Sequence, residues 1–270
     1  MISATTRAEI KGFLEGFVHG MVIEHKTPTR KASDIRPTKS YSAKGDIKPF
    51  HEALLPEGIL RINEFERSFS TKLGTTFEEC ARLIGKERYA QAGRGHRTEG
   101  KVSQDAIRII EASVSRIGTK GMARPYPGIV KEVLNARGPK KVRRTQISDL
   151  YLQDASGNEM FFEMKSPQPN KGQCLEVAER FLTIHAIRQA GPPRVRTYYA
   201  MTYNPYGADK AAYKWSFATR YMDIKKEVLI GKEFWDFIGG TGTYEELLEI
   251  YREVGREKGP DILDQLALDY

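Results

Sequence analysis

Asp149, Glu163 and Lys165 are the residues of this sequence best equipped for chemistry. They fall in two short apolar runs, Ile147 to Leu152 and Met160 to Lys165, separated by Asp154-Ala155-Ser156-Gly157-Asn158. Those five residues favour Asx-turn and left-handed backbone, so the two runs are predicted to pair as an antiparallel hairpin. Centred on Ser156, the hairpin sets Asp149 opposite Glu163. A side-chain period of two puts Asp149 on one face with Tyr151, and Phe161, Glu163 and Lys165 on one face of the second strand. Opposed carboxylates repel. A hard divalent cation such as Mg²⁺ removes that repulsion and prefers oxygen ligands. Lys165 adds a point charge suited to a phosphate oxygen or a polarised water. Together these groups are equipped for metal-assisted phosphodiester hydrolysis. The same spacing also fits a structural ion pair, because an Asp and a Glu-x-Lys a dozen residues apart occur by chance. Favouring the active-site reading, each polar residue interrupts an apolar strand.

Helices must hold this hairpin. Ile10, Phe13, Leu14, Phe17, Val18 and Met21 recur at helical spacing and define a first amphipathic helix. Residues Lys26 to Pro49 are rich in proline and base, the pattern of a long arm that wraps DNA or a partner, or of a solvated connection. Ile62 to about Tyr89 is predicted helical, with Gly74 breaking the run and Thr75 or Thr76 capping a second helix. Gln91-Ala92-Gly93-Arg94-Gly95-His96-Arg97 reads as a glycine-rich basic loop able to follow a phosphate backbone. Val102 to Ile117 and the stretch after Pro125 through Leu134 are helical. Lys141, Arg143 and Arg144 lead into the Asp149 strand and are expected to bring positive charge beside it. Gln173 to Gln189 is a helix stopped by Gly191-Pro192-Pro193, and Val195 to Tyr203 is a third strand. Strand, strand, helix, strand is the order of a mixed sheet in an α/β core.

The whole chain sets outer limits. Its 270 residues suit one large domain: a helix and basic arm over 1–60, a catalytic core over 61–205 and a C-terminal region over 206–270 with an acidic helical end. Lys and Arg number 43 against 35 Asp and Glu, and the last thirty residues carry eight acids and three bases. The remainder is strongly basic, which favours an anionic partner, nucleic acid first. Cys80 and Cys174 stand apart and outside any Cys-x-x-Cys pair, so neither a zinc site nor a disulfide framework is indicated. The most apolar N-terminal stretch, Ile10 to Ile23, contains Lys11, Glu15 and His19 and is not a membrane span. The expected compartment is a reducing cytoplasm. None of the five histidines has metal-ligand spacing to another, and there is neither a phosphate-binding Gly-Lys-Ser/Thr loop nor a Gly-x-Ser-x-Gly elbow.

With Asp149, Glu163-Met164-Lys165 and the following helix in place, residues 60 to 205 resemble the PD-(D/E)xK nuclease superfamily, in particular a type II restriction endonuclease. Ser148 stands where the superfamily name has proline. The resemblance implies an α/β core with a mixed central sheet flanked by helices, and helical N- and C-terminal additions. It implies Asp149 and Glu163 as Mg²⁺ ligands and Lys165 as the group that orients or helps deprotonate the attacking water. Gly74-Thr75-Thr76-Phe77-Glu78 is similar to the element that supplies a further acid, making Glu78 a candidate and Glu79 its substitute. Gln168, Asn170, Lys171, Arg194 and Arg196 are the implied DNA contacts, alongside Lys141, Arg143 and Arg144. The partners implied are double-stranded DNA cut at a short palindrome, a second copy in a homodimer, and a cognate DNA methyltransferase, in a prokaryotic cytoplasm. Two rival readings use the same residues: a repair or recombination nuclease of the superfamily, and a non-catalytic DNA-binding protein.

Overall fold

The computed structural model describes residues 2–25, 49–191 and 194–266. All of the arm expected over Lys26 to Pro49, except Pro49 itself, lies outside the described residues. The chain divides into two compact units, Met1–Arg7 with Phe77–Leu247, and Ala8–Thr76 with Leu248–Tyr270. The described helices are α1 (Ala4–Glu24), α2 (Pro49–Leu54), α3 (Glu57–Lys86), α4 (Gln104–Lys120), α5 (Tyr126–Asn135), α6 (Lys171–Arg188), α7 (Ser216–Tyr221), α8 (Lys232–Gly239) and α9 (Thr243–Leu266). None of the described helices is long and apolar enough to cross a membrane.

The second unit is helical. Ile10, Leu14, Val18 and Met21 of α1 are buried, as their spacing predicts, together with Ile250 and Val254 of α9, while Phe17 of the same set is half-buried and Phe13 is exposed. Phe17 meets Phe69 at 5.5 Å between ring centroids. Lys11 reaches Glu253 and Glu257 at 2.7 and 2.8 Å. The predicted break at Gly74 does not occur, because α3 runs through it. The Thr75 and Thr76 hydroxyls donate back to the carbonyls of Lys72 and Leu73, at 2.6 and 2.7 Å, instead of capping a new helix. One interior glycine costs a helix only about 1 kcal/mol, too little to stop thirty residues.

The first unit holds a five-stranded sheet of β1 (Gln91–Ser103), β2 (Lys141–Gln153), β3 (Glu159–Lys165), β4 (Val195–Met201) and β5 (Val228–Ile230), in that spatial order. The first three strands are antiparallel, and β3, β4 and β5 are parallel. The predicted order of hairpin, crossover helix and parallel strand is therefore present, with an extra strand at each edge. Asp154 builds the hairpin turn. Its Oδ1 accepts the N–H groups of Ser156 and Asn158, both at 2.9 Å, and Gly157 takes φ +80°. This local clamp sets Leu150 opposite Phe162, the register centred on Ser156. Phe161 and Phe162 are consecutive and fully buried, so they enter opposite layers. Burying each stabilises by about 1.5–3 kcal/mol. Phe161 joins Tyr151, Tyr199 and the α4, α5 and α6 side chains, while Phe162 meets Phe234 of α8 at 6.0 Å.

The glycine-rich stretch from Gln91 is a strand, which corrects the expected loop. Its local propensity is poor, but twelve rungs of pairing with β2 override it. Gly95 has a special duty. Ala92 packs toward Gly85 of α3, and Arg94 binds Glu78 and Glu79 of the same helix. His96 instead stacks on Tyr151 at 3.8 Å, and Gly100 lies against Ile187 of α6. Even-numbered residues thus change face between 94 and 96. The intervening Gly95 has φ +57°, a conformation that a Cβ disfavours.

Gly95→Ala is expected to lower the unfolding free energy by about 1–2 kcal/mol, whereas Gly93→Ala, in open space and without a positive φ, should cost less; urea denaturation of both compares them. Glu227 supplies a pH test. It is 1% exposed, its Oε1 accepts the Asp223 N–H at 2.9 Å, and burial pushes its carboxyl up to about 8 from 4.5. A raised folded-state pKa gives stability that is full below the unfolded value and lost as pH rises through the folded one. Between about pH 4.5 and 8 the thermal midpoint of the wild type should therefore fall relative to that of Glu227→Gln, and parallel curves would refute the assignment.

Candidate active site

The site forms where β2 and β3 cease to pair. Leu150 opposite Phe162 is the last rung, and continuing that register sets Asp149 opposite Glu163, as predicted. The Met164 N–H donates to Asp149 Oδ2 at 2.8 Å, so backbone takes the place of a ladder bond and orients the carboxylate. Lys165 Nζ lies 2.8 Å from Glu163 Oε1 and 3.6 Å from Asp149 Oδ2. The three residues singled out by type and spacing therefore converge.

Glu163 is 0% exposed, and a buried carboxylate is costly unless its charge is met. Arg180 of α6 meets it. Nη1 donates to Glu163 Oε2 at 2.6 Å and to the Ile147 carbonyl at 3.2 Å, and Nη2 to Glu176 Oε1 at 2.8 Å. One guanidinium thus ties β2, β3 and α6 together. Burial, and then repulsion from Asp149, push the Glu163 carboxyl above its usual pKa, with Lys165 and Arg180 acting against both. Burial also opposes the Lys165 ammonium, yet contact with Glu163 and the charge of Asp149 hold its pKa above the ordinary lysine value.

The donor set fits a hard divalent ion. Glu163 Oε1 is buried and faces the Lys165 ammonium at 2.8 Å, away from the oxygen that Arg180 binds. Asp149 faces the same ammonium. Among the described residues no three His, Cys, Asp or Glu converge as a metal cluster. An ion here would draw two carboxylates from the chain and the rest of its shell from water or substrate, a habit of Mg²⁺.

Other predicted residues are placed unevenly. Gln168, Asn170 and Lys171 follow Lys165 directly. Gln168 is exposed, but Asn170 is the N-cap of α6, its Oδ1 accepting the Gln173 N–H at 2.9 Å, and the Lys171 ammonium stands 5.5 Å over the Tyr221 ring. Glu78 is not brought to Asp149 and Glu163. Arg94 holds it at 2.9 Å, on the α3 side of the sheet, and Arg94 also takes its neighbour Glu79 at 3.2 Å. Arg194 and Arg196 belong to the turn end of the sheet, since Val195 pairs with Glu159 and Arg196 with Met160. At about 3.3 Å per residue they lie roughly 17 and 10 Å along the strands from Glu163. Lys141, Arg143 and Arg144 are exposed at the far end of β2, Arg143 paired with Glu99. Even Arg144 is five residues from Asp149, about 17 Å along an extended strand, so the expected basic patch beside the site is displaced. The residue missed by sequence reasoning is Arg180. Its signal is faint, a basic position beside the face of α6 that carries Val177, Phe181 and Ile184 toward the sheet.

Comparison with known proteins gives the family. A family model described as "Type II restriction endonuclease, HinfI" matches residues 10–255. The type II restriction enzyme HgiCII of Herpetosiphon aurantiacus is 41% identical over 98% of this chain and 99% of its own length. The type II restriction enzymes HgiBI and HgiEI of the same organism are each 41% identical over 98% of both chains.

A double-mutant cycle checks the role given to Arg180. Arg180→Met should cost about 1–3 kcal/mol by leaving a buried acceptor unmet, and much less in a Glu163→Gln background. Equal costs in the two backgrounds, measured by urea denaturation, would show that the pair is not coupled.

Proposed function

The chain belongs to the HinfI family of type II restriction endonucleases, and from that premise we propose that Asp149, Glu163 and Lys165 carry a Mg²⁺-dependent cut in both strands of a short palindromic DNA site. It is a type II restriction enzyme, a site-specific deoxyribonuclease. Family membership sets aside the repair-nuclease reading and the non-catalytic one. The observation that carries the residue assignment is the approach of the Lys165 ammonium to two carboxylates on adjacent strands. It also supports the PD-(D/E)xK reading of the core.

When bound by Asp149 and Glu163, Mg²⁺ supplies a Lewis acid that acidifies water and neutralises charge on the scissile phosphate. The chain's own groups do the positioning. Arg180 keeps Glu163 Oε2 occupied and leaves Oε1 turned to the site. The Met164 N–H fixes Asp149. Lys165, 35% exposed in its side chain between two carboxylates, has donors to orient the attacking water and to meet the negative charge that grows on the phosphate oxygens. Gln168 and Lys171 contact DNA beside the cut, while Asn170 contributes by capping α6. Arg194, Arg196, Lys141, Arg143 and Arg144 bind phosphates farther along the duplex. A homodimer matches a palindrome, each copy cutting one strand, and a methyltransferase that modifies the same site protects the host DNA.

Asp149→Ala and Lys165→Ala are expected to lower plasmid cleavage at least a thousandfold in protein that still unfolds cooperatively in urea, so that the loss of cutting is not a loss of fold. Wild-type cleavage by purified Lys165→Ala would overturn the assignment.

A further inference from the structure

Directly after β3 comes a segment outside the sheet, in which the Gln168 N–H donates to Ser166 Oγ at 3.3 Å. Pro167 and Pro169 have no N–H to give a ladder, and each restricts the backbone of the residue before it. Their carbonyls need donors from elsewhere, and both find aromatic ones. Tyr213 OH donates to the Pro167 carbonyl at 2.6 Å, and Trp215 Nε1 to the Pro169 carbonyl at 2.7 Å. The two donors are two residues apart, as are the two acceptors. The prolines are buried while Ser166, Gln168 and Asn170 alternate outward. Tyr213, 7% exposed, also takes Tyr206 edge-on at 5.7 Å, and the Tyr206 hydroxyl accepts from Gln168 Nε2 at 3.3 Å. Asn170 is spent on the α6 cap. Gln168 is therefore the outward amide that the clamp presents.

Chain geometry limits where that amide can act. Three residues from Lys165, the Gln168 backbone is at most about 10 Å from that of Lys165. Successive nucleotides rise about 3.4 Å along one strand, so Gln168 addresses roughly the three nucleotides nearest the scissile phosphate. A carboxamide offers a donor and an acceptor together, the pattern that pairs with an adenine edge in the major groove. Such pairing discriminates only if the backbone behind it is fixed.

We propose that Tyr213 and Trp215 are specificity-determining positioning residues, which clamp residues 166–170 so that Gln168 reads a base close to the cut. The proposal rests on the active-site reading above. Lys214, over the Tyr206 ring at 5.7 Å, and Lys171 flank the same surface with charge for the neighbouring phosphates.

The test measures cleavage of the cognate site against sites with one base pair changed, for the wild type, Tyr213→Phe, Trp215→Phe and Gln168→Ala. Tyr213→Phe removes one hydroxyl and keeps the ring, so folding should persist. The expected result is a loss of discrimination of at least tenfold, confined to pairs within about three nucleotides of the cut, and no further loss when Tyr213→Phe is combined with Gln168→Ala. An equal slowing at every site, or unchanged discrimination, overturns the clamp while Lys165→Ala still abolishes cutting. A wild-type protein that produces no discrete fragments overturns the active-site reading and the clamp together.

Discussion

The compensation of one buried charge organises this structure. Glu163 has none of its surface in water, and a carboxylate so placed persists as an ion only where cations and donors replace its hydration. Arg180 reaches it from α6, and Lys165 from two residues farther along β3. Through Arg180 and Lys165, α6, the end of β2 at the Ile147 carbonyl and the end of β3 all meet at that one charge. A hydrophobic residue in place of Glu163 would pack more cheaply. Its retention in the centre of a sheet fits a charge used in the chemistry.

Backbone elements share the work. The Asp154 turn sets the hairpin register that places Asp149 across from Glu163, and the Met164 N–H then fixes Asp149 where the ladder ends. Opposite Asp149, in the register of β1 and β2, stands Gly95 with its positive φ. That residue changes the face of β1, so that Arg94 serves α3 while His96 stacks over Tyr151. The same strand thereby contributes to both layers.

Legibility in the sequence followed the range of the interactions. The hairpin, its register and the three convergent residues could be read because a turn of five residues and a period of two are local rules. The β3, α6 and β4 order was readable for the same reason, α6 carrying its own capping box from Asn170 and Gln173. By contrast, β1 is made by long-range pairing of a segment whose three glycines argue against a strand. α3 continues through Gly74 because the other residues of a thirty-residue helix outweigh one interior glycine. Arg180 was hard to read because an arginine on a helix is ordinarily solvated, and the fold brings it to Glu163. The spread of the basic residues also required coordinates. Lys141 to Arg144 and Arg194 to Arg196 are near the active strands in sequence or topology, yet strand length carries them away from the site.

The most direct measurement is digestion of a long defined DNA by the purified protein, with Mg²⁺ and with the metal chelated, followed by sequencing of the ends. Discrete fragments whose ends share one short palindromic sequence, formed only with the metal, are the expected result. Random ends, or the same fragments without any divalent ion, would contradict metal-dependent cutting at one palindromic site.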